Sequence, residues 1–252
     1  MMEPRKYRNP PIEEAVCDLQ FAPGVEWDPT LPGRIYGGLK GAYGEKPRLQ
    51  QLVEAQLQGG IEGQSSISMQ QKVGKQRVQF LGEGGTRIVG VGADQLSVHM
   101  LRPYTGWESF RPQIHQALDA YRSIAEPEGI TRIGLRYINK ITIKAPHDDL
   151  TPYFTIPPKF PEIDSTTRLL AFFNRKEVAF SDRPIRIVVT FADMESAPSP
   201  SYLLDLDIIW ISPEAPVSLV AFPDVLEDMK TRHRKVFEAL ITDETRKIFD
   251  AD

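Results

Sequence analysis

The chain has 252 residues, 41% of them hydrophobic and 25% charged, and carries a formal net charge of −4 at pH 7. That length supports one large core or two small ones, and that balance argues against extensive disorder. The acidic excess counts against general nucleic-acid binding and leaves a local basic face as the route to it.

The single cysteine, Cys17, allows no internal disulfide and no cysteine-rich zinc site, so it is expected to be a small buried residue. The opening MMEPRKYRNPP has charges with no apolar run behind them, unlike a signal peptide. No stretch reaches the roughly 20 apolar residues of a membrane span, so a cytoplasmic protein is expected.

In chain order, Ala15, Cys17, Leu19 and Phe21 alternate and predict a strand over Glu14–Phe21, bounded by prolines. Thr30 and Pro32 mark the start of a helix to about Tyr43. Gly33, Gly37, Gly38 and Gly41 weaken it by about 1 kcal/mol each, and close packing on a sheet would account for them. Residues 47–64 fit a helix or a strand. Strands over Ser65–Val73, Arg77–Leu81, Thr86–Val91 and Leu96–Leu101 are separated by glycine turns at Gly74-Lys75, Glu83-Gly84-Gly85 and Gly92-Ala93-Asp94. This predicts an antiparallel meander. Phe110–Ala125 follows as a helix with Ile114, Leu118, Tyr121 and Ile124 on its apolar stripe.

The second half opens on a strand over Thr131–Lys144. Ile133, Leu135, Tyr137, Ile141 and Ile143 share one face, and Arg132, Arg136, Lys140 and Lys144 the other. A short helix near Asp148–Phe154 and a proline-rich crossing lead to strands over Arg168–Phe180, Pro184–Asp193 and Tyr202–Ile211. A long helix over Pro223–Leu240 buries Val225, Leu226, Met229, Val236, Phe237 and Leu240, and Thr242 caps a last helix to Phe249.

The expected fold is α+β: two similar lobes, 1–129 and 130–252, each a mostly antiparallel sheet with a long helix on one face, or one continuous domain. The element order is similar to the saddle of the TATA-binding protein or to a helix-grip fold, which carries no function by itself.

Five segments occur in order along the chain: NPPIEEAV at 9–16, LPGRIY at 31–36, LRPY at 101–104 before Gly106-Trp107, RIGLRYIN at 132–139 and FEALITDE at 237–244. Together they resemble a sporadically distributed prokaryotic family of uncharacterised proteins. The resemblance implies no activity. Its patchy distribution implies genes that travel between genomes and serve defence, toxin–antitoxin or other accessory roles.

No GxSxG, HExxH, CxxC or Walker-type loop occurs. His99, His115, His147 and His233 lack the i, i+4 spacing of a helical metal pair. No catalytic residue, metal or cofactor is therefore assigned. The cations Arg132, Arg136 and Lys140 on alternate positions could bind phosphate or an acidic partner, or could pair with Asp205 and Asp207 of a neighbouring strand. Asn139, polar on the apolar side of that strand, must find partners in a loop or reach into a pocket. Arg102, Tyr104 and Trp107 cluster before a helix, as a recognition surface or a packed corner.

The expectation is a non-enzymatic binding or regulatory protein, acting through a protein partner or as a homo-oligomer. A nucleic-acid binder would instead need its basic face exposed and unpaired. A small-molecule binder or enzyme would need a deep pocket between the lobes with convergent polar groups.

Overall fold

Period-two alternation, clearest in the first strand, governs most of this architecture. A computed structural model describes residues 5–250 apart from 23, 25, 27, 60–66, 144–148, 160, 162, 165–166, 168, 195–198 and 213–214. The elements are β1 (Ile12–Phe21), α1 (Leu31–Gly37), β2 (Arg48–Gly59), β3 (Ile67–Gly82), β4 (Arg87–Val91), β5 (Gln95–Leu101) and α2 (Trp107–Ala125). Then come β6 (Ile130–Thr142), β7 (Phe173–Phe180), β8 (Ile185–Met194), β9 (Ser201–Ile211), α3 (Phe222–Leu240) and α4 (Asp243–Asp250).

The strands form one antiparallel sheet in the order β2-β3-β4-β5-β1-β6-β9-β8-β7, with helices on one side, so the fold is α+β. The sheets of the two halves are continuous through β1 and β6: Cys17 faces Val98 on one neighbour and Leu135 on the other. Ala15, Cys17 and Leu19, with Ile133 and Leu135 and with Leu204, Leu206 and Ile208, turn to the helices and are buried. Cys17 is fully buried, and burial pushes its thiol pKa up. Among the described residues no helix is long and apolar enough to cross a membrane.

Several elements differ from the sequence reading. Gly74-Lys75 is no turn. β3 runs through it, and the register jumps from Gln51 opposite Gln76 to Val53 opposite Val73, so the pair is a β-bulge. The ambiguous 47–64 stretch contains β2. α1 stops at Gly37, and a Cβ on Gly38 would lie 3.0 Å from the Cβ of Ala120, so the close neighbour is α2 and not the sheet. The described part of the expected helix at 148–154 is a turn in which Tyr153 and Phe154 both donate to the Leu150 carbonyl. The strand expected from Arg168 begins at Phe173, and Arg168 itself lies outside the described residues.

α3 buries Phe222, Leu226, Met229 and His233. Phe237 is only partly buried, and it stacks on Phe249 of α4 at 6.3 Å. The segment before β1 is tied to the same end. Asn9 donates its amide to the Phe249 carbonyl (2.8 Å), Tyr7 its hydroxyl to Glu238 (2.7 Å), and Arg5 pairs with Asp250 (2.8 Å).

Candidate functional site

The cations of β6 lie on the sheet face away from the helices, and carboxylates meet two of them. Arg132 lies across Gly134, where a Cβ would sit 3.1 Å from its guanidinium, and donates to Asp18 on β1 at 3.1 Å. Asp18 also accepts from Gln95 at 2.8 Å and lies 3.5 Å from Arg77. Arg136 grips both oxygens of Asp205, at 2.8 and 2.5 Å, the bidentate geometry that guanidinium suits. His99 and Glu14 lie 2.7 Å apart, and that bond holds the Glu14 carboxyl below its ordinary range.

Burial pushes the Asp18 carboxyl up against the pull of Arg77 and Arg132, and the Asp207 carboxyl up against Arg132 and Arg136. Lys140 has no carboxylate partner among the described residues, and Lys144 lies outside them. Asn139 is buried and donates to the carbonyls of Leu204 (2.8 Å) and Tyr137 (3.2 Å). It lies where the β1 register shifts, Ile12 facing Asn139 and Glu14 facing Ile138. Its partners are thus backbone groups of strands, neither a loop nor a pocket.

The Arg102, Tyr104 and Trp107 cluster divides. Arg102 pairs with Glu13 at the surface, at 2.6 Å. Tyr104 and Trp107 turn inward to residues that sequence reasoning did not single out. The Tyr104 and Tyr137 hydroxyls are 3.2 Å apart, and their rings meet edge to face at 5.7 Å. Trp107 donates its indole N–H to Glu227 at 3.1 Å, and Arg111 donates to the same carboxylate at 3.0 Å.

Lys230, half-buried one turn along α3, places its Nζ 3.9 Å from the centre of the Tyr137 ring and 5.5 Å from that of Trp107. His233 packs on Tyr137 at 4.5 Å, is 4% exposed, and leaves its Nε2 without a partner among the described residues. Burial and the nearby Arg234 charge, offset in part by Glu227, push the Lys230 ammonium down to about 7. Burial and then the Lys230 charge push the His233 imidazole well down, with the Leu206 backbone acting the other way. Burial, offset in part by the Tyr137 hydrogen bond, raises the Tyr104 phenol to about 12 and dominates in raising that of Tyr137 well above its ordinary value, so both stay protonated. The spacing 227, 230, 233 is one face of a helix, which is the only local signal for this set.

A third region lies at the sheet edge. β7 ends the strand order. The Asp193 amide donates to the Phe172 carbonyl at 3.3 Å. By antiparallel alternation Asn174, Lys176, Val178 and Phe180 then bond to β8, while Phe173, Arg175, Glu177 and Ala179 point N–H and C=O outward. Apolar side chains are exposed along it: Phe173 at 72% and Val178 at 52%, with Leu170 at 81% just before. No family model matches the chain, and no curated protein does.

Proposed function

We propose that this is a non-enzymatic binding or regulatory protein that takes up an extended segment of a protein partner along the outer edge of β7, the last strand in the sheet order among the described residues. The observation that carries the reading is the row of outward-pointing backbone groups on β7, flanked by the exposed side chains of Phe173, Val178 and Leu170. An edge of this kind is a template for one more strand, with backbone bonds supplying affinity and side-chain contacts specificity. The carboxylates on Arg132 and Arg136 favour this over nucleic-acid binding on the opposite sheet face, because phosphate would have to displace them. As part of the same proposal, the chain belongs to the sporadically distributed prokaryotic family it resembles. It acts in the cytoplasm as an accessory component of a mobile defence or toxin–antitoxin locus.

The test is selection of binders from a library of extended peptides, followed by hydrogen exchange with and without the best of them. The amides of Phe173, Arg175, Glu177 and Ala179 are expected to gain protection. Ala179→Pro removes one outward donor without touching the β8 ladder, so it is expected to weaken binding with little loss of stability. Protection gained elsewhere, or binding indifferent to Ala179→Pro, would overturn the reading.

A further inference from the structure

The two sides of β7 offer an added strand different chemistry. Val178 and Phe180 stand opposite Ile187 and Ile185, which are buried beneath the helices, so Lys176, Val178 and Phe180 line the helix side. Arg175 and Glu177 lie on the other side, where Glu177 is met by Arg186 at 3.0 Å and by Arg175 at 3.6 Å. Lys176 is exposed and has no ion pair among the described residues. Past Phe180 the helix side opens into a groove of about 410 Å³. Its apolar lining is Phe180 from the sheet with Val236 and Ala239 from α3. Arg232 crosses the groove, paired with Asp182 at 2.6 Å and Asp228 at 3.0 Å, its guanidinium 4.9 Å from the centre of the Phe180 ring. Both of those carboxylates are thus engaged. Lys235, exposed on the same lining, has no ion pair among the described residues and leaves the groove with a positive charge.

Resting on strand addition at β7, we propose that the segment taken up is acidic and alternating. It sets an apolar side chain opposite Phe180 at the groove, a second opposite Val178 and a carboxylate opposite Lys176. In an antiparallel ladder these three positions form the pairs without hydrogen bonds, where side chains approach most closely, so their chemistry selects the partner. The groove accepts the first side chain, and Lys235 adds to the attraction of Lys176 for an acidic chain. A second copy of this chain fits less well. Two β7 strands in full overlap would face Lys176 with Lys176 or Glu177 with Glu177, and like charges directly opposite are destabilising.

The experiment measures binding of labelled extended peptides to the intact protein by fluorescence anisotropy. The first peptide alternates Thr with Leu, Val and Glu, so that these three stand opposite Phe180, Val178 and Lys176. The second has Lys in place of Glu, and the third Ala in place of Leu. The acidic peptide is expected to bind roughly 5-fold tighter than its lysine counterpart, and Lys176→Glu is expected to reverse that order. Ala239→Trp, at an exposed position, fills the groove and is expected to erase the advantage of Leu over Ala. Equal affinity for the two charges, or a preference indifferent to Lys176→Glu, would overturn the acidic assignment; if that binding is still lost in Ala179→Pro, strand addition itself stands. Failure of every peptide to bind, or binding that Ala179→Pro leaves intact, overturns both readings. A dimer of the chain that Ala179→Pro disperses would place a second copy on the edge and overturn the assignment as well.

Discussion

His233 is an imidazole packed on the Tyr137 ring and near the Lys230 charge, with its Nε2 unpartnered among the described residues. In the unfolded chain it takes up a proton near pH 6.5; in the fold it resists doing so. Its contribution to stability is therefore whole above about pH 6.5 and is lost as pH falls from there toward the depressed folded value. The loss runs at up to about 1.4 kcal/mol per pH unit until the folded value is reached. Glu14, held down by His99, loses stability in acid as well, while the raised Asp18 and Asp207 act in the opposite sense. A neutral replacement isolates the histidine. Between pH 7 and pH 5, urea unfolding should show the wild type losing more stability than His233→Gln, and equal losses would refute this account. Tyr104 and Trp107 were legible as a cluster because they are near neighbours in the chain. Their partners Tyr137, Lys230 and His233 arrive from other elements, so no local pattern joins them. The alternating cations of β6 were legible too, but their pairing with Asp18 and Asp205 depends on which strands become neighbours.

At the scale of the element, α3 shows how one residue of helix boundary alters an energetic argument. Starting the helix at Pro223 leaves out Phe222, which is fully buried and meets His115 of α2 edge to face at 5.8 Å. Phe222→Ala is expected to cost about 3–5 kcal/mol in equilibrium unfolding, through lost transfer energy and the cavity left behind. Phe237→Ala, on a partly exposed site, should cost about 1–2 kcal/mol. Equal costs would mean that the C-terminal end of α3 is packed as tightly as its start. The turn at Glu83–Thr86 was legible because its glycines accept positive φ: Glu83, Gly84 and Gly85 stand at 50°, 65° and 76°. The bulge at Gly74-Lys75 was not, because glycine marks a turn and a bulge with the same local signal.

Across the whole molecule, β1 is paired along both sides, to β5 and to β6. Melting either half would strip a long ladder from the other, so the sheet is expected to unfold as a unit. Circular dichroism and tryptophan fluorescence should then give coincident urea transitions; two separated midpoints would show that 1–129 and 130–252 unfold independently. The sequence reading found the two runs of elements from their order. That reading left one continuous domain open, but which strands join the halves was beyond local patterns, because β1 and β6 pair across the whole first half. The contacts of Arg5, Tyr7 and Asn9 with Asp250, Glu238 and Phe249 have a topological meaning as well. They bring the start and end of the described chain side by side, so its path is nearly a closed ring. A short peptide could join those ends and the ring be reopened at the Glu83–Thr86 turn, giving a circular permutant in which every strand keeps its neighbours.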